Sequence, residues 1–122
     1  VPMVDKVLSS EEAYGPRNPK KEVIDWKIKD LKWATSKLPA EIHTGSDVGR
    51  IDRWGALALL ARVALQDERW ELAEKVSKYI IDNSPYGLYD YEKVYHLEGN
   101  TETDPKNKES MIYSLYVQEI RM

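Results

Sequence analysis

WGALALLARVALQDERWELAEKVSKYIIDNSP, residues 54–85, is the stretch whose reading decides the fold. Leu57, Leu60, Ala61 and Ala64 recur at intervals of three and four, which stacks them along one face of a helix. After a polar break at 67–69, Ala73, Ser77 and Ile80 form the matching face of a second helix, and Asn83, Ser84 and Pro85 stop it. So short a break makes the two helices antiparallel neighbours. Small residues at Ala61 and Ala73 allow the pair a close approach. Asp52 stands where an N-cap belongs, its carboxylate able to accept from first-turn N–H groups that have no helical partner.

The pair is spaced like a tetratricopeptide repeat (TPR), a unit of about 34 residues with a proline shortly after its second helix. Leu31, Ala34 and Pro39 stand at the same offsets as Ser77, Ile80 and Pro85, so residues 22–38 read as the second helix of a preceding repeat. Ile24, Ile28, Leu31 and Leu38 mark its buried side. The first helix of that repeat has no room, because Pro2, Gly15, Pro16 and Pro19 keep residues 1–21 from forming one helix. The expectation is a chain that begins within a repeat. A solenoid unit buries its apolar face only against neighbours, so a half-repeat implies further sequence or a partner, and only marginal stability for these residues alone.

The resulting division is an extended lead-in at 1–21, with VPMV lying against the body; a helical repeat region at 22–85; and a loop with a terminal strand at 86–122. Residues 39–49 form a polar, glycine-bearing link. A short helix begins at Tyr91, 98–108 form an exposed loop, and MIYSLYV at 111–117 reads as a strand on its β-formers. A lone strand cannot satisfy its own ladder, a second sign that a partner element is needed.

Composition narrows the function. The chain has 122 residues and a net charge of -3 from 18 basic and 21 acidic residues that are well mixed, which is no nucleic-acid footprint. RNPKK at 17–21, the one basic cluster, reads as a solvated loop. The most apolar run, 54–65, is interrupted by Arg62 and falls short of a membrane span. No charged leader followed by an apolar run opens the sequence. With zero cysteines there is no disulfide, no thiolate nucleophile and no cysteine-ligated zinc.

The order of features resembles the SusD/RagB family of outer-membrane nutrient-binding lipoproteins. Asp30, Leu31, Ala34, Leu38 and Pro39 look like that family's "DL..A...LP" helix end. GRIDRWGALALLARVAL at 49–65 is similar to its "GR.t..AA.al.ArvyL" element, with Asp52 keeping the capping role of the usual Thr or Asn. Trp70, Ala73, Tyr86, Leu88 and Tyr95 match the run that follows, Tyr95 in place of Phe, and Asn107, Glu109 and Ile112 are like its "n.E.if" strand entry. The resemblance covers nearly the whole chain. It implies an all-α, TPR-like segment of a several-fold longer protein, anchored at the cell surface of the outer membrane by a lipid on sequence outside these residues. It also implies a non-catalytic role in oligosaccharide or nutrient capture beside a SusC-like TonB-dependent transporter. No motif for the ligand contacts lies in this segment, so no ligand-binding residue is assigned.

Catalytic ingredients are thin. His43 and His96 are far apart and lack a helical zinc spacing, and Gly45 and Gly49 stand singly in a polar loop with no strand before them. Glu11 with Glu12, and Glu98 with Glu102 and Asp104, are acidic runs of the solvated kind, without the spacing of a calcium loop. No catalytic residue, metal or cofactor is assigned. The aromatic inventory has more colour: 4 Trp and 8 Tyr but no Phe, so every large ring carries a polar handle suited to stacking on sugars and bonding their hydroxyls. Trp54, Trp70 and Tyr79 are assigned to packing. Trp26 and Trp33, seven apart, share a helix face that is either a buried seam or a docking surface. Two other functions stay open: a free-standing TPR interaction module holding a peptide in its groove, and a glycosidase, which would need two carboxylates across a cleft.

Overall fold

A computed structural model describes residues 2–4, 6–43, 47, 49–94, 109 and 111. Its order is a 3-10 turn at Glu12–Tyr14, then α1 (Lys20–Lys37), α2 (Arg53–Gln66), α3 (Trp70–Asn83) and a single turn, α4 (Tyr91–Val94). The architecture is all-α, as the spacing requires. The predicted strand at 111–117 falls outside the described residues except for Met111, which packs against the core.

The helix ends follow from local chemistry. Pro19 is the residue before α1, where a missing N–H costs nothing, and α1 ends at Leu38, which Pro39 forces into extended backbone at φ -70°, ψ 145°. Asp52 caps α2: its Oδ1 accepts from the Gly55 N–H at 2.8 Å. The far end of α2 closes with the Arg69 N–H donating to the Ala64 carbonyl at 2.9 Å and the Glu68 N–H to Leu65 at 3.2 Å. That is a Schellman closure, and its left-handed position is filled by Glu68 at φ 58° instead of glycine. Pro85 ends α3 as Pro39 ends α1, leaving Ser84 extended at ψ 153°.

α2 is the centre, with α1 on one side and α3 on the other. The core is Ile28 from α1, Trp54, Leu57 and Leu60 from α2, and Val76 and Ile80 from α3. Ala56, Ala64 and Ala73 are buried as well. Ala61 is half-buried. The buried row of α3 differs from the sequence expectation by one position: Ser77 is exposed and Val76 takes its place between Ala73 and Ile80. Both rows obey the same three- and four-residue rule, but the apolar β-branched side chain is the one the core receives. Val23 likewise joins Ile28 on the buried side of α1, while Ile24, Leu31 and Leu38 are half-buried.

Polar clamps fix the stack. The Trp54 indole N–H donates to the Ala40 carbonyl at 2.7 Å, and the Arg53 N–H donates to the Pro39 carbonyl at 2.9 Å, tying the start of α2 to the end of α1. At the opposite end Arg69 bonds both Asp25 on α1 and Asp67 at 2.9 Å, and Lys20 pairs with Asp67 at 3.7 Å. Contacts at both ends make α1 and α2 antiparallel. The lead-in is less extended than expected, since Ser9 and Glu12 form a capping box: the Ser9 N–H donates to Glu12 Oε2 at 3.0 Å and the Glu12 N–H to Ser9 Oγ at 3.3 Å.

Candidate functional site

Among the described residues the titratable groups that meet do so in ion pairs of the scaffold, such as Arg69 with Asp25 and Asp67. Among the described residues no group of three or more His, Asp or Glu side chains is placed to hold a metal ion. His43 is half-buried with Nε2 3.3 Å from the Ile51 carbonyl oxygen, a packing contact of the α1–α2 link. Glu12 is engaged in its capping box. Hydrogen bonds from the Ser9 backbone and hydroxyl, then from Lys6, hold its carboxyl below the ordinary glutamate value. Hydrogen bonds that Arg69 donates to Asp25 and then to Asp67 raise it above the ordinary arginine value. His96, Gly45, Glu98, Glu102 and Asp104 lie outside the described residues.

Among the described residues the one fully buried acidic side chain is also structural. Asp52 is 1% exposed, and beyond capping α2 it accepts from the Tyr86 hydroxyl at 2.6 Å through Oδ2. A buried carboxylate is costly unless its oxygens are bonded, and here each has a donor. The bond joins the chain after α3 to the first turn of α2 over a separation of 34 residues. The sequence signalled the cap, and the family-like run marked Tyr86 without revealing its bond to Asp52.

Two surfaces remain as candidates. The first is aromatic: Trp26 and Trp33 lie exposed on α1, away from α2, at 39% and 63%. They are not a buried seam. Trp70, assigned to packing by sequence, is 60% exposed instead, at the first position of α3. Trp54 is buried as expected and stacks on Tyr79, with ring centroids 5.9 Å apart and planes 26° from parallel. Tyr14 is 91% exposed.

The second surface is a groove of about 520 Å³ between α1 and α3, floored by α2. Leu57, Leu60, Leu72 and Val76 make its floor and near wall, and Tyr79 leans in from α3. Its rim is lysine: Lys32 from α1, and Lys75 and Lys78 from α3. No helix among the described residues is long and apolar enough to cross a membrane.

No protein-family model matches this sequence, and no curated protein does either. A solved structure does. The crystal structure of a SusD-like protein from Bacteroides fragilis superposes at a TM-score of 0.77 with 31% sequence identity, over 96% of this chain. The chain spans 23% of that protein's length.

Proposed function

This chain is SusD-like over nearly its whole length, and on that premise we propose that it works in non-catalytic nutrient capture at the outer membrane. In this reading it belongs to a lipid-anchored surface protein that binds an oligosaccharide and passes it to a SusC-like TonB-dependent transporter. The helices 20–83 are a scaffold of TPR-like antiparallel pairs that holds less regular, ligand-bearing segments. One observation carries the reading: a 31% identical SusD-like structure aligned over 96% of the chain, at a TM-score at which the helices share one arrangement. Exposed Trp26, Trp33 and Trp70 offer rings with a polar edge, the side-chain type that stacks on sugars.

The experiment is to capture the native protein from its source cells with an antibody against this chain and incubate it with a panel of oligosaccharides. Retention of an oligosaccharide, recovered uncleaved, is the expected result. Cleavage of any of them, or failure to retain any, contradicts the proposal.

A further inference from the structure

We propose that the groove between α1 and α3 docks an acidic amphipathic helix from a partner polypeptide. Its shape comes first. The floor residues Leu57 and Leu60 on α2, and Leu72, Val76 and Tyr79 on α3, recur at helical intervals. Rows with that period present ridges and grooves that accept the ridges of another helix, and grooves of this kind take helices by apolar anchors at i, i+3, i+4 and i+7. Tyr79 is 48% exposed despite its stack on Trp54, so part of its ring faces the groove mouth.

Charge then selects the partner. Lys32, Lys75 and Lys78 stand at the rim against a single acid, Asp82, in a chain whose net charge is -3. Among the described residues none of the three lysines makes an ion pair, whereas Lys6, Lys20 and Lys93 each pair with a neighbouring carboxylate. Three free ammonium groups around an apolar trough set the sign of whatever lies in it: leucine-like anchors flanked by Glu or Asp.

The same features disfavour other occupants. A sugar would meet four aliphatic side chains, Leu57, Leu60, Leu72 and Val76, that offer its hydroxyls no donor or acceptor. A second copy docking groove to groove about a two-fold axis would bring lysine against lysine, because such contacts are self-complementary. The inference is independent of the nutrient-capture reading: a glycan held elsewhere on the protein leaves it untouched, and a helix bound here says nothing about sugars.

The test is an NMR titration of the full 122-residue chain, labelled with ¹⁵N, at low ionic strength. The probe is a synthetic peptide of about 16 residues, long enough to become helical when bound, with leucines at helical spacing and glutamates elsewhere. A second peptide replaces each glutamate with lysine. Saturable shifts confined to the amides around Leu60, Val76, Tyr79 and Asn83 are expected, with the acidic peptide binding roughly tenfold more tightly. The triple variant K32E/K75E/K78E, altered only at the rim, should reverse that preference while keeping its own spectrum dispersed. Four results would each overturn the proposal: no saturable shifts at the groove, equal binding of the two peptides, peptide binding prevented by sedimentation-detectable dimers of the chain, or groove shifts produced by maltooligosaccharide in place of peptide.

Discussion

α1 and α2 are neighbours of similar length, yet α2 buries six of its 14 residues and α1 only two of its 18. The contrast is one of position. α2 has a helix on each side, so Trp54, Ala56, Leu57, Leu60 and Ala64 turn to different neighbours and all leave water. α1 touches the core along one narrow row and holds Trp26 and Trp33 out in solvent. Among the described residues, place in the stack rather than helix propensity dictates how apolar each helix sequence is.

The largest effect that sharpens this contrast is expected at Leu60, which is 2% exposed. Leu60→Ala should cost about 3 kcal/mol, the lost transfer energy plus an unfilled cavity, read as a lower midpoint in urea unfolding at unchanged slope. Trp33→Ala removes a bigger side chain from α1 and should shift stability by less than about 0.5 kcal/mol. Equal losses for the two variants would break the comparison.

Next in size is Asp52→Ala, which deletes a helix cap and the bond from the Tyr86 hydroxyl, together about 2 kcal/mol. Tyr86→Phe alone should cost about 1 kcal/mol, and the two losses should add to more than the double variant shows, because one hydrogen bond is counted in both. Strict additivity in that cycle would mean that the bond between α2 and the chain after α3 contributes nothing.

Smaller still, and of opposite sign, is Glu68→Gly. Relief of the left-handed backbone outweighs the extra freedom glycine gives the unfolded chain, so a gain of about 0.5 kcal/mol is expected in thermal unfolding. A loss would show that the Glu68 side chain supplies more than its backbone strain removes.

The lead-in provides the mildest probe. Glu12 has a lowered folded-state pKa, so its contribution is present above the unfolded value of about 4.3 and is lost as the pH falls through the folded one. A carboxyl titration by NMR should place its midpoint below that of a free glutamate. Ser9→Ala should raise the midpoint only part of the way, because the residue 9 backbone N–H and Lys6 still bond the carboxylate, and no movement would mean that the Ser9 hydroxyl takes no part in holding it.

Much of the fold was readable from the sequence because its signals are local. Asp52, Pro39 and Pro85 mark helix ends by their own chemistry, and the apolar period of 57–64 needs no knowledge of the partner. The row on α3 was misread by one position because Ser77 and Val76 both continue a permissible spacing, and only the packed core distinguishes them. Glu68 was invisible for a different reason: the turn wants a glycine, and the sequence gives a charged residue in its place. The groove was also out of reach. Lys32 lies 43 residues before Lys75, and the two share a rim only once α1 and α3 flank the same helix.

The most direct test of the capture assignment is immunoprecipitation from detergent-solubilised outer membranes of the source cells, using an antibody against this chain, with the captured proteins identified by mass spectrometry. The account predicts a lipidated, surface-exposed antigen that brings down a TonB-dependent β-barrel transporter. An antigen recovered without lipid from the soluble fraction, and without such a transporter, would contradict it.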